Sequence, residues 1–435
     1  MSFIHRFFGA RPHVAPVSRR PRNPGALGAE PRLVPVRPAG QVFTPTRPKT
    51  GRRQLVGRQA ELARILQALL EDRAHVVLYS ERGRGKTSLS NLVIESLRRK
   101  NVIVARHTCE ASSDFTSILR GLLQDLPPSL LAAPVRDDPC DGCGAALPDR
   151  ELRPNDVVDM PSRLTCRSLV CLVDEFDRVE DPRTRTRLAD AIKQLSDRDI
   201  DLRFFIVGVA GDLDQILGQH PSIQRSVLGV HLPLFTDRDV AHLISKGGQE
   251  SGFTFPPSVI ARIAALARGM PYIAQLLGLR LAQAAASRDS AIVSDEDFHA
   301  AVLRMLGDAN PRVLSLYAAL TDHGTTAEMV TVLRRVATAP QDPWGRLHVD
   351  VTADGNIEIA GRQVSAAAWA RLQAANVLQE CEAGTYFFSF AERALMHHSL
   401  LLAAQDAITS PVADGLAPED CIPSSGQLRP FLSRA

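Results

Sequence analysis

No run of 18 apolar residues occurs in the 435-residue chain, so no membrane-spanning helix is expected. Nor does the chain open with the apolar stretch of a secretory leader. The seven cysteines are scattered and suggest no disulfide framework. These absences point to a reducing, cytoplasmic setting without a membrane partner. Acidic side chains are missing from the first 29 positions, and Glu30 is the only one before residue 54. Residues 1–53 carry 11 Lys/Arg against that one acid, a net +10, whereas the other 382 residues hold 40 basic and 47 acidic groups, a net −7. The overall charge of +3 hides this asymmetry. The same arm is rich in Pro and Arg (PVRPAG, PTRPKTGRR), with too little apolar surface to fold alone. It is expected to be a disordered basic arm. It either meets DNA or another acidic partner or serves only as a soluble leader, and a transit peptide is a third reading.

The length suggests two to three domains, and an apolar content of 45% supports a buried core. The most informative stretch runs from Tyr79 to Leu89, YSERGRGKTSL. An apolar run, His75 to Leu78, precedes it, and the helical pattern Leu89, Leu92, Val93, Leu97 follows. Strand, glycine loop and helix in that order fit the phosphate-loop motif G-x-x-x-x-G-K-[ST], with Ser80 in place of the first glycine. Gly83 and Gly85 let backbone N–H groups curl around phosphate oxygens, and the helix N-terminus adds partial positive charge. Lys86 is placed to reach the β- and γ-phosphates, and Thr87 to ligate Mg²⁺.

A second element is Ser168 to Asp177, SLVCLVDEFD. An apolar strand ending in Asp174-Glu175 supplies a carboxylate for Mg²⁺ and a carboxylate to orient or deprotonate an attacking water. Leu62, Ile65, Leu66 and Leu69 predict a lead-in helix, Val102–Ala105 a buried strand, and Phe115 to Leu123 a helix capped by Ser113 or Asp114. Residues 183–196 predict a further helix, Phe204–Val209 a core strand, and Val230–Leu234 a final short strand. Continuous apolar runs of this kind are strands buried on both faces of a parallel sheet, alternating with helices. Cys140-Asp141-Gly142-Cys143 is half a zinc site; Cys166 is a candidate third ligand, but Cys171 lies within a strand pattern. An ordinary surface loop is expected there, without zinc.

After Thr236 the strands stop. Helical patterns cover about 237–250, 256–267, 272–287 and 295–306. Beyond Pro311 come two helices, a hairpin around Ala353-Asp354-Gly355, a helix near 364–375, and a second hairpin across Ala383-Gly384, which suggests a winged helix. Its candidate recognition helix, SAAAWARLQAAN, offers a single basic residue, Arg371, where a DNA-reading helix offers several, and Trp369 and Leu372 are expected to face inward.

The pieces LVGRQAEL, YSERGRGKTSL, LVCLVDEFD, FFIVGV, HPSIQR and GMPYIAQLLG, in this order across roughly residues 54–306, resemble the AAA+ ATPases of the origin-recognition and STAND group. The resemblance implies an α/β fold: a P-loop AAA+ parallel-sheet sandwich over residues 54–236. A helical lid over 237–308, a winged-helix-like domain over 309–405 and a flexible tail over 406–435 would follow. It implies ATP and Mg²⁺ as ligands, held by Ser80, Gly83, Arg84, Gly85, Lys86, Thr87, Ser88, Asp174 and Pro271, with Lys86, Glu175 and Arg225 in catalytic roles and Thr87 and Asp174 on the metal. Arg225 resembles the arginine such proteins present to a neighbouring copy, which implies a homo-oligomer and a protein client. ATP rather than GTP follows from the resemblance and from the lack of a guanine-reading N-K-x-D tetrad. Two positions depart from the pattern. The FFIVGV strand ends in Gly208-Val209 with no polar residue before Asp212, and Gly-x-Pro stands where origin-recognition proteins carry a lid arginine, with Arg268 just before it. The function so implied is an ATP-hydrolysing switch or assembly machine, acting on DNA in one version. The alternatives are a STAND-type scaffold with little turnover and a transposition- or secretion-type regulatory ATPase.

Overall fold

A computed structural model describes residues 37–47, 56–124, 126–130, 147–165, 168–211, 213–218, 223–322, 326–351, 357–380, 387–390 and 392–409. Cys140, Cys143, Cys166, Asp212 and the segment His220–Ser222 lie outside the described residues, as do 1–36, 48–55 and 410–435.

Five parallel strands form the first sheet: β1 (His75–Tyr79), β2 (Ile103–Thr108), β3 (Leu169–Asp174), β4 (Leu202–Gly208) and β5 (Val227–His231), in the order β2-β3-β4-β1-β5. All residues of β3 and β4 are buried, the result expected of uninterrupted apolar runs covered on both faces. Helices α1 (Gln59–Leu70), α2 (Lys86–Arg98), α3 (Phe115–Gln124), α4 (Pro154–Asp159), α5 (Pro182–Asp197) and the single turn α6 (Asp214–Leu217) cover it. Each helix turns its apolar stripe inward: Leu62, Ile65, Leu66 and Leu69 on α1, and Leu188, Ala191, Ile192 and Leu195 on α5, are buried. Asp114 accepts from the Ser117 N–H at 2.7 Å at the start of α3, and Asp181 caps α5 through the Arg183 N–H at 3.1 Å.

The last strand is not where its apolar letters suggest. Val230–Leu234 is the reading from sequence, but β5 begins at Val227, because its register pairs His75 with Val227 and Tyr79 with His231. The Leu232 N–H still donates to Tyr79 O at 3.1 Å, and the ladder stops there because Pro233 has no N–H to give.

Helices α7 (Asp237–Ser251), α8 (Pro257–Ala267), α9 (Pro271–Ser287) and α10 (Asp295–Gly307) follow, within one or two residues of expectation. Capping boxes start two of them, Thr236 with Asp239 and Ser294 with Asp297. Then come α11 (Pro311–Thr321), α12 (Thr326–Thr338), β6 (Leu347–Val351), β7 (Ile357–Ile359), β8 (Arg362–Val364), α13 (Ala366–Ala374), β9 (Leu378–Glu380), β10 (Phe387–Phe390) and α14 (Arg393–Thr409). The second sheet is antiparallel, β8-β7-β6-β10-β9. The strands flanking both expected turns pair, although Ala353-Asp354-Gly355 and Ala383-Gly384 themselves lie outside the described residues; Trp369 and Leu372 are buried, and β8 and α14 are additional elements.

Two apolar cores result. One lies under the parallel sheet, around Phe115, Leu172's neighbours Cys171 and Val173, Phe204 and Ile206. The other runs without a break from Val240 and Leu281 in the helical region to Leu333, Leu372 and Leu395 in the C-terminal region. Within the arm read as residues 1–53, the stretch 37–47 packs on this second core: Phe43 is 2% exposed and meets Phe255 edge-on with ring centroids 5.9 Å apart. Two apolar residues, Val42 and Phe43, suffice to anchor an otherwise polar segment.

Candidate functional site

In the parallel sheet the chain leaves β1 for the far edge, returns through β3 to β4, and crosses to β5 on the other side of β1. Ligands of open α/β sheets bind at the carboxyl ends of strands where the order reverses in this way. A cleft of about 650 Å³ opens at that place, between the sheet and the N-terminus of α9. Gly83, Arg84, Gly85, Lys86, Thr87, Ser88, Asp174, Glu175 and Pro271, nine of the residues singled out from sequence, line it.

The loop after β1 turns on Gly85, whose φ of 94° is a left-handed conformation that glycine adopts without strain. That turn starts α2 at Lys86 and sets the first residues of the helix, Lys86, Thr87 and Ser88, on the wall of the cleft. Lys86 Nζ donates to the carbonyls of Ser80 at 2.7 Å and Glu81 at 2.9 Å. Burial pushes its pKa down to about 8, and the nearby Asp177 carboxylate opposes the fall. Ser80 does not line the cleft; it is fully buried behind Lys86, with its hydroxyl 3.4 Å from Nζ. Arg84 contributes backbone only, because its side chain is 1% exposed and turned away from the cleft.

At the end of β3, Asp174 is 5% exposed. Its Oδ2 accepts from Arg106 at 2.7 Å and its Oδ1 from the Glu175 N–H at 3.0 Å. Glu175 has φ 54° and ψ 37°, the left-handed region in which a non-glycine residue is uncommon and strain gathers at functional positions. That turn throws its carboxylate out of the strand, where Arg178 pairs with it at 3.0 Å. Thr87 and Asp174 are hard oxygen donors on one wall. Magnesium is commonly held by few protein ligands, with waters and phosphate oxygens completing the shell, so the pair fits such a site. Among the described residues no cluster of three or more His, Cys, Asp or Glu forms a closed metal cage.

The sequence reading missed three features. Asp177 lines the cleft, and its Oδ1 accepts from the Val209 N–H at 2.8 Å, joining the ends of β3 and β4. A Cβ at Gly208 would lie 2.6 Å from Ile216 Cδ1 and 3.3 Å from the Asp177 nitrogen, so a side chain there would need Ile216 to shift. Arg58, in the LVGR stretch, is 4% exposed and donates to Pro233 O at 2.6 Å and Arg84 O at 3.4 Å, pinning the loop from below. At the far end of the cleft, Thr44, Tyr272 and Gln275 line the wall, and the Thr44 N–H donates to Gln275 Oε1 at 3.0 Å. Arg268 is not a cleft residue: its guanidinium donates to Ala339 O in the C-terminal region. Arg225 is exposed in the turn before β5 and does not line the cleft of its own chain.

None of the curated proteins compared with the chain matches it. Among solved structures, the ORC2 protein of Aeropyrum pernix, solved as ADPNP-ADP complexes, is 14% identical, with 84% of this chain and 98% of that chain covered and a TM-score of 0.46. The ORC1 protein of Aeropyrum pernix in complex with DNA is 16% identical over 86% of this chain and 98% of that one, with a TM-score of 0.42. The RuvB Holliday junction branch migration motor of Thermotoga maritima is 16% identical over 77% of this chain and 99% of that one, with a TM-score of 0.40. The family model for the AAA ATPase domain matches residues 54–333, well over half of the chain. With the phosphate loop, the Asp174-Glu175 strand end and the five-stranded parallel sheet in place, the chain belongs to the AAA ATPase domain family.

Proposed function

We propose that the chain binds ATP with Mg²⁺ in this cleft and hydrolyses it to drive a conformational or assembly switch. The observation that carries the reading is convergence: the loop Gly83–Ser88, the carboxylates of Asp174 and Glu175, and the N-terminus of α9 line one cleft, though they lie far apart in sequence. The loop N–H groups and the start of α2 would hold the phosphates, and Lys86 would leave its two carbonyls to meet β- and γ-oxygens. With a pKa near 8 it is mostly protonated at pH 7, so it carries the charge this needs. Thr87 and Asp174 would hold Mg²⁺, which supplies charge neutralisation between the phosphates. Glu175 would accept a hydrogen bond, and then a proton, from the attacking water. Thr44, Tyr272 and Gln275 would face the base. Equilibrium titration with Mg-ATP tests the site: Lys86→Ala should remove most of the affinity, and unchanged binding would sink the assignment.

DNA contact through the basic arm is the second reading, supported by the net +10 of residues 1–53. In α13, Arg371 donates to Asp322 O at 3.0 Å, and Trp369 and Leu372 are buried, so that helix offers no free cation to a phosphate backbone. Any DNA affinity would then come from residues 1–53. Binding should fall steeply with salt and vanish when residues 1–36, ahead of the packed stretch 37–47, are removed. DNA binding that survives removal of the arm would end this reading.

A further inference from the structure

The two middle side chains of the phosphate loop, Glu81 and Arg84, point away from the cleft and into the C-terminal region. Arg84 Nη1 donates to Leu232 O at 2.9 Å, Nη2 donates to Trp344 O, and Nη2 lies 3.2 Å from the Glu81 carboxylate. That carboxylate also receives Arg393 Nε, from the first residue of α14 and 312 positions along the chain. Arg393 Nη2 donates in turn to Gly345 O at 3.2 Å. Gly345 has φ 81°, and a Cβ there would sit 2.2 Å from the Arg393 guanidinium, so only glycine lets this turn lie on the arginine. The same turn is tied to the core by the Leu234 N–H donating to Pro343 O at 2.7 Å. Its Trp344 indole stacks on His231 at 4.9 Å, and His231 stacks on Tyr79 at 4.9 Å. Burial alone would raise the Glu81 carboxyl; hydrogen bonds and charge from Arg393 and Arg84 outweigh it and hold the carboxyl below its ordinary value. Glu81 is part-buried and Arg84 fully so, and removing one member of the set leaves the Arg84 charge less well compensated.

Resting on the nucleotide reading above, we infer that Arg393 is a positioning residue of the nucleotide site: it fixes Glu81, and through it the phosphate loop, so that nucleotide binding and docking of the C-terminal region strengthen each other. The connection is short. Glu81 gives its carboxylate to Arg393 and its carbonyl to Lys86, so the residue that shapes the loop around the lysine is itself held by α14. Linkage makes the effect reciprocal: what docking adds to ATP affinity, ATP adds to docking.

The experiment uses the full chain and Mg-ATP. Arg393→Ala should weaken Mg-ATP binding by about 5- to 150-fold, the ordinary scale of coupling between sites. Arg393→Lys should recover part of it. Arg393→Ala should cost little further once Glu81→Ala is present, because the two act through one contact. Reciprocally, Mg-ATP should slow hydrogen exchange in α14 of the wild type, and not in Arg393→Ala. Wild-type affinity in Arg393→Ala, or full additivity with Glu81→Ala, would overturn the inference. Should the wild-type chain fail to bind Mg-ATP, the proposed function falls. Loop amides of residues 82–86 exchanging no faster in nucleotide-free Arg393→Ala would overturn the positioning role by itself.

Discussion

In the parallel sheet, each side chain to which we assign a chemical task stands at the carboxyl end of a strand or in the turn that follows it: Lys86 after β1, Asp174 and Glu175 at β3. In the antiparallel sheet no strand residue lines the cleft, and the turn before β6 together with α14 touches the back of the phosphate loop instead. On the proposed reading, the first sheet carries groups that would meet a ligand, and the elements flanking the second hold the loop after β1 in shape. Backbone geometry explains the division. Parallel strands all end on one side, so their turns gather into one site. An antiparallel meander sends successive turns to opposite ends and gathers nothing, but it offers long edges and helices for docking.

The largest expected effect tests whether chemistry is confined to the first sheet. Glu175→Gln keeps the shape of the side chain and removes the base. Turnover should fall by about 10²–10⁴, the usual scale for such a group, while ATP affinity stays near wild type. Asp174→Asn should also weaken Mg²⁺-dependent binding. In an oligomeric machine Arg225→Ala should resemble Glu175→Gln, with wild-type turnover rising with protein concentration. A scaffold with background turnover would respond to neither. Equal loss of binding in Glu175→Gln would mean that the catalytic carboxylate is misassigned.

A smaller effect probes the second sheet. Leu372 in α13 is fully buried in the core shared with the helical region. Leu372→Ala should cost about 2–5 kcal/mol, transfer and cavity together. Since that core is continuous, thermal unfolding should move as one transition for residues 237–409, and Mg-ATP should raise it. A C-terminal region that melts by itself, with ATP binding intact, would break the comparison by showing that the two regions are independent.

The parallel sheet was legible because phosphate chemistry allows few residue types at fixed spacing, and because strands buried on both faces leave unbroken apolar runs. The glycines, lysine and threonine of YSERGRGKTSL fall on the loop and helix start that the motif implies. Long amphipathic helices with caps, such as α5 and α7, were legible for the same local reason. What was not legible depends on contacts between distant positions. Helix α14 carries Leu395, Met396, Leu400 and Leu401, all buried, so it has no polar face to give a period. Phe43 is one aromatic in a Pro- and Arg-rich stretch, and nothing nearby marks the slot it fills. The side chain of Arg84 reads as a phosphate ligand by position, yet the carbonyls of Leu232 and Trp344 claim it. Arg393 has no local pattern at all, and its meaning lies in a carboxylate 312 residues away.

The smallest expected effect compares one histidine from each region. His75, in β1, is 1% exposed and accepts from the Phe204 N–H at 2.9 Å through Nδ1. Burial and then Arg203 push its pKa down to about 3. His397, in α14, is 6% exposed, with Nδ1 2.9 Å from Arg393 O and Nε2 3.3 Å from Ala267 O. Burial pushes it down to about 4, although both carbonyls favour the charged ring. Both pKa values are depressed below the ordinary 6.5, so the unfolded chain binds protons that the folded chain refuses. The stability each neutral ring contributes is therefore complete above pH 6.5 and is lost as pH falls toward 4 and below. Between pH 7 and pH 5 the loss should be about 2 kcal/mol for each ring. Urea unfolding at the two pH values reads it directly. His75→Gln and His397→Gln should each start less stable at pH 7 and lose about 2 kcal/mol less than wild type over the interval. A variant that loses as much as wild type would show that its ring already titrates normally in the fold. The two rings should also part company in one respect. His397 joins α14 to the helical region, so acid should loosen the C-terminal region and expose α14 to hydrogen exchange, and His397→Gln should blunt that exposure. His75→Gln should leave it unchanged, because the hydrogen bond and the stacking of its ring are both with Phe204 of β4.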